Sequence, residues 1–243
     1  TQPVYSELTN WTPVNAPQGE KLDIIAESVE KLSDSLDYLV VRESTCDETE
    51  CQVRLVAQRD GKQIDELIIK QGERYFYKAN SKTALLEVNK LNPYLPSPNQ
   101  AQLEAFAQLV NQCVNRADID NPQSWCDEIQ WRELTQFTPR PDSVVQLAKL
   151  YAEPRAGTVN LFPREGIGYN TKVPGRHAGE SYLEKDAFIG FWGAPIGKQA
   201  TPLSSEENGS LAPTLYQYLT GDDVKAGENG WGYPSLLSKL DIH

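Results

Sequence analysis

Residues 36–78 constrain the fold more than any other stretch of this chain. Leu-Asp-Tyr-Leu-Val-Val-Arg over residues 36–42 and Gln-Val-Arg-Leu-Val-Ala-Gln over residues 52–58 are rich in side chains that suit a pleated surface. Asp60-Gly61 supplies the left-handed backbone that a two-residue hairpin turn demands, and it leads into a third run over residues 63–69. Gly72 separates that run from a fourth, residues 74–78. Ahead of them Leu22, Ile25, Ala26, Val29 and Leu32 fall on one helical stripe. A helix followed by a meander of about four strands predicts a compact α+β lobe.

The 243 residues suffice for a sizeable core, either as one large domain or as a domain with an inserted lobe. With 39% hydrophobic and 23% charged residues the chain has a globular composition. No apolar run approaches the roughly 20 residues that a membrane helix needs, so no membrane span is expected. The net charge of −11, uninterrupted by a basic cluster, argues against a nucleic-acid polymer as partner. The chain has no methionine, so Thr1 is not a translation start and an upstream segment is expected to have been removed.

Cys46 and Cys51 flank the acidic turn Asp47-Glu48-Thr49-Glu50 between two strand-like runs, where cross-strand side chains come close enough to bridge. A disulfide is expected there. Cys113 and Cys126 bracket a turn-rich connection and fit either a second disulfide or two free thiols. Two local pairs and a lost leader point to the periplasm or the extracellular space.

Three regions follow from the punctuation of the sequence. Residues 1–20 carry Pro3, Pro13, Pro17 and Gly19 and read as an extended lead-in. Residues 21–151 form the lobe just described plus a mainly helical part, with Pro98-Asn99 opening one helix and residues 143–150 making another. In residues 152–243, the runs 157–162 and 187–192 read as short buried strands on either side of a long loop. A helix over 211–219 then stops at Thr220-Gly221.

That last region carries the motif Pro174-Gly175-Arg176-His177-Ala178-Gly179-Glu180, then the apolar run at 187–192, then Ser210-Leu211-Ala212-Pro213-Thr214. A histidine on a glycine-lined turn, an apolar strand and an Ala-Pro-Thr helix start, in that order, resemble the C-terminal end of the alkaline phosphatase superfamily, type I phosphodiesterase and nucleotide pyrophosphatase branch. The similarity covers residues 157–219, and more loosely residues 22–151, which resemble the segment those enzymes carry between an Asp-His-Gly metal motif and their final histidine.

The resemblance implies an α/β fold: the C-terminal portion of an α/β/α core with an inserted cap-like lobe of a helix and a strand meander. It implies that His177 ligates a divalent metal, commonly zinc, and that the substrate is a phosphate-ester small molecule; beside it the planar fork of Arg176 fits either a contact to that phosphate or an ordinary surface arginine. Two departures stand out. Ala178 separates the histidine from the glycine expected beside it, and the family's nucleophile, Asp-x-x-x-His and Asp-His-Gly elements have no counterpart. The one other histidine is His243. The expectation is therefore a C-terminal half or subunit with no catalytic residue of its own, inert alone, sharing its metal with the N-terminal half of the same precursor or with a partner chain.

Two rivals remain: a non-catalytic structural or interaction subunit that keeps the hydrolase scaffold, and a binding module with its pocket in the meander. Of the neighbouring residues, Glu180 and Glu184 read as a solvated face beside Lys185, and Trp192 as core.

Overall fold

The computed structural model describes residues 14–15, 21–22, 24–44, 46–80, 84–153, 155–169, 179–197, 203, 205–225 and 231–243. They belong to two compact units, Thr1–Asp186 and Ala187–His243. The fold is mixed α/β, with a six-stranded antiparallel sheet in the first unit.

Short strands β1 (Val14–Asn15) and β2 (Lys21–Leu22) pair with each other. The main sheet contains β3 (Leu36–Arg42), β4 (Glu50–Arg59), β5 (Lys62–Gln71), β6 (Arg74–Lys78), β7 (Cys126–Asp127) and β8 (Val159–Pro163). Its order is β7-β6-β5-β4-β3-β8. The meander is the expected one. β4 and β5 pair without a break from Glu50↔Gln71 to Arg59↔Lys62, and their turn places Asp60 at φ 50° and Gly61 at φ 72°. Glycine suits that left-handed position because a Cβ there would be strained.

Because successive side chains point to opposite faces, the sheet carries a core on each side, and β3 and β4 contribute to both. On one face Leu36, Leu39, Val41 and Val56 pack with Ile25 and Val29 of helix α1 (Ile24–Lys31). On the other, Tyr38, Val40, Val53, Leu55, Ile68, Tyr75 and Tyr77 pack with Trp131, Leu134, Val144, Leu147 and Tyr151. These last residues come from α3 (Glu128–Thr135) and α4 (Ser143–Ala152). Two directional bonds fix that layer. The Trp131 indole donates to the Tyr75 carbonyl at 3.0 Å, and the Tyr151 hydroxyl donates to the Val40 carbonyl at 2.5 Å.

Helix α2 (Gln100–Val110) begins at Asn99, whose side chain accepts from the Gln102 backbone N–H while Gln102 reaches back to the Asn99 N–H. This capping box satisfies two orphan donors of the first turn. Both cysteine pairs are disulfides: Cys46–Cys51 closes the β3–β4 connection, and Cys113–Cys126 ties the turn after α2 to β7. There is no free cysteine. Two disulfides are compatible with an extracellular or periplasmic protein. Among the described residues, no helix is long and apolar enough to cross a membrane.

The run at 157–162 does form a strand, β8, but it pairs antiparallel with β3 from Leu36↔Pro163 to Val41↔Val159. It thereby completes the meander sheet, and the units divide after Asp186 rather than after Tyr151. The run at 187–192 is not a strand, and Phe188 and Trp192 are 94% and 99% exposed. An apolar run specifies burial only if a ladder partner is present to receive it, and none of the described residues pairs with it.

In the second unit, α6 (Leu211–Thr220) ends at Gly221 with φ 75°, as its sequence predicts. The Thr214 hydroxyl accepts from the Leu236 N–H at 2.8 Å, Ile196 bridges Ile242, and the Tyr216 and Trp231 rings lie 5.1 Å apart.

Candidate functional site

A cleft of about 230 Å³ opens in the first unit, lined by the ends of β3, β4 and β8, by Pro139 and Arg140, and by residues 180–184. Its chemistry is organised by Asp37. One carboxylate oxygen bonds the Arg59 guanidinium, and the other meets Arg140 Nη2 at 2.5 Å. Arg140 also lies with its Nε 3.8 Å from Glu87, whose second oxygen holds Lys90 at 2.6 Å. The Arg140 guanidinium stacks over the Tyr38 ring at 5.3 Å, a cation–π arrangement.

Electrostatics follow from this crowding. Burial alone would lower the Arg140 pKa, but Tyr38, Asp37 and Glu87 outweigh it and raise it, so the charge is locked on. The Tyr38 pKa is raised as well: burial first, and then the Glu180 carboxylate, hold its hydroxyl protonated well above the usual range. Arg59 and Arg140 thus share the Asp37 carboxylate in the lining of the cleft.

Glu180 and Glu184 are not a solvated face. The Glu180 carboxylate accepts from the Ser143 hydroxyl at 2.6 Å and from Lys185 Nζ at 2.9 Å, and its side chain is 12% exposed. Ser143 opens α4 and is fully buried, so this cluster fastens residues 180–185, including the single turn α5 (Tyr182–Lys185), to the helical layer. The Tyr182 N–H adds a bond to the Pro139 carbonyl at 2.8 Å. Glu184 accepts from the Ser181 hydroxyl at 3.0 Å.

Arg164, just after β8, donates to the carbonyls of Leu36 at 3.3 Å and Ser33 at 2.7 Å. The Tyr169 hydroxyl reaches the Ser35 carbonyl at 3.3 Å. Arg176 and His177, the expected phosphate contact and metal ligand, lie outside the described residues. The chain on either side of residues 170–178 is thus anchored to the first unit.

Among the described residues no group of three or more His, Cys, Asp or Glu side chains is arranged to hold a metal ion. Glu180, the carboxylate that follows His177 in the sequence, already serves Lys185 and Ser143. The described residues therefore do not make a zinc site by themselves. Of the helix-opening residues, Thr214 donates its hydroxyl to the Ser210 carbonyl at 2.6 Å and locks the first turn of α6, whereas the Ser210 side chain makes no cap bond.

A second buried carboxylate serves the fold. Glu66 accepts from the Tyr77 hydroxyl, from the Asn80 N–H at 2.9 Å and from the Leu85 N–H, and burial raises its pKa above the ordinary value. Sequence reasoning passed over both Glu66 and the Asp37–Arg140 group. The one available signal was Arg140 set between Pro139 and Pro141, a rigid loop carrying a charge.

No family model, no curated protein and no solved structure matches this chain.

Proposed function

We propose that this chain is the C-terminal part of a metal-dependent phosphoric-ester hydrolase of the phosphodiesterase and nucleotide pyrophosphatase kind. On this reading His177 supplies one ligand to a divalent metal such as zinc, Arg176 meets the substrate phosphate, and the nucleophile and remaining ligands come from polypeptide outside this sequence. The antiparallel sheet lobe is the inserted cap, and residues 187–243 are closing elements of an alkaline-phosphatase-like α/β/α core. The order of motifs at 174–180, 187–193 and 210–214 carries the proposal. The apolar residues exposed at Phe188, Trp192, Leu215 and Leu219 support it, because closing elements of a core present such surface to the rest of that core.

The test is co-expression with the polypeptide encoded directly upstream in the same reading frame. The assembly should bind zinc and hydrolyse a chromogenic phosphodiester, and His177→Ala should lose both properties. The isolated chain should do neither. Hydrolysis and zinc content unchanged in His177→Ala would overturn the reading.

A second reading is a non-catalytic structural or interaction subunit that keeps the hydrolase scaffold, supported by Phe188, Trp192, Leu215 and Leu219 as exposed apolar residues that a partner could cover. It predicts that the same assembly forms but binds no stoichiometric metal.

A further inference from the structure

We propose that the cleft around Arg140 binds a small amino-carboxylate, a molecule carrying one carboxylate and one ammonium group. The volume of about 230 Å³ lies below the roughly 300–1,000 Å³ of pockets for drug-sized ligands, so the occupant is small.

The carboxylate end is set by donors left over in the lining. Asn92 is 5% exposed, and its Oδ1 accepts from the Tyr94 N–H at 3.0 Å, but its buried Nδ2 has no hydrogen-bond partner among the described residues. The buried Arg140 Nε makes no hydrogen bond either, although the Glu87 carboxylate lies 3.8 Å from it. A buried donor without an acceptor has given up its water for nothing in return, so a site that holds the Asn92 amide in that state favours a ligand with acceptor oxygens. Arg164 adds a guanidinium that donates only to backbone carbonyls and pairs with no carboxylate among the described residues, while Asp37 is already shared by Arg59 and Arg140. That combination suits a planar oxyanion met by an arginine fork.

The ammonium end is set by carboxylates in the same lining. Glu184 and Glu165 both line the cleft, and neither is paired with a cation among the described residues. Glu180, by contrast, is neutralised by Lys185. A phosphate dianion would meet these two acids unfavourably, whereas a ligand with an ammonium group converts the repulsion into attraction.

The experiment is calorimetric titration of the full chain, at neutral pH without metal, with each of the twenty common amino acids and with acetate, methylammonium and inorganic phosphate. At least one amino acid should bind with one-to-one stoichiometry, and at least tenfold more tightly than acetate, methylammonium or phosphate. Arg164→Ala, at an exposed position, should weaken that binding about tenfold, the loss expected for one charge-assisted hydrogen bond. Asn92→Asp, which sets a carboxylate against the ligand's own, should weaken it at least as much. Circular dichroism of both variants checks that the sheet is retained, and Glu165→Gln with Glu184→Gln provides an independent arm that should lower affinity while leaving acetate binding unchanged. Absence of heat with every amino acid at millimolar concentration, binding unchanged in Arg164→Ala and in the double glutamine variant, or phosphate binding more tightly than any amino acid would each overturn the proposal. No metal enters the assay, so its outcome bears on the cleft alone.

Discussion

The two units of this protein handle apolar side chains in opposite ways. In the first, Tyr38, Val40, Leu55, Ile68, Trp131 and Leu147 are buried on one face of the sheet, and Ile25, Val29, Leu39 and Val56 on the other. In the second, Leu236 and Pro213 are the apolar residues reaching burial among those described, while Phe188, Trp192, Leu215, Tyr218 and Leu219 stay exposed. The difference is one of partners rather than of composition. A strand meander closes its own ladder and so creates two faces to cover, whereas a lone helix such as α6 has one stripe and needs a neighbour to bury it.

If the first unit owns its core, the largest effect belongs there. Trp131→Ala removes a fully buried indole and its bond to the Tyr75 carbonyl, and is expected to cost about 3–5 kcal/mol in denaturant unfolding. Cys113→Ser with Cys126→Ser, which frees the turn after α2 from β7, should cost about 2–4 kcal/mol in the same assay. A loss well below 1 kcal/mol from either change would break the contrast between the units.

Glu66 sharpens the contrast through pH. Its folded pKa is raised above the ordinary 4.5, chiefly by burial, so the folded state holds the proton more tightly than the unfolded chain does. Its contribution is fully present below the unfolded pKa and is lost as pH rises through the raised folded value. Unfolding free energies measured from pH 4 to pH 8 should carry this downward component in the parent, and Glu66→Gln should lack it. An identical pH dependence in the two proteins contradicts the assignment.

The smallest effect is expected in the second unit. Trp192→Ala, at a nearly fully exposed residue, should change stability by no more than about 0.5 kcal/mol in this chain alone. The same substitution should weaken assembly with the polypeptide proposed to complete the hydrolase. A large loss of stability in the isolated chain would show that the unit covers its own apolar surface after all.

How much of this was legible in the sequence depended on whether the signal was local. Asp60-Gly61 named its hairpin because the turn's backbone requirement sits in two adjacent residues. The cap of α2 at Asn99 was legible for the same reason, and so was the disulfide across the acidic turn at 47–50. β8 was seen as a strand, but its place beside β3 was not, because pairing partners so distant leave no mark in either segment. The run at 187–192 looked like a buried strand because hydrophobicity records a tendency and not a neighbour. The Asp37–Arg59–Arg140 group was invisible, since it forms only when three separated segments meet.

The position of β8 also dictates a sequence of events during synthesis. β4 and β5 are joined by a two-residue turn, and hairpins of that kind close within microseconds. β3, with Leu39, Val40 and Val41 all buried in the finished sheet, must wait for residues 159–163 before its outer rim is satisfied. Until then a growing chain presents a greasy, unpaired strand, the kind of template on which chains stick to one another.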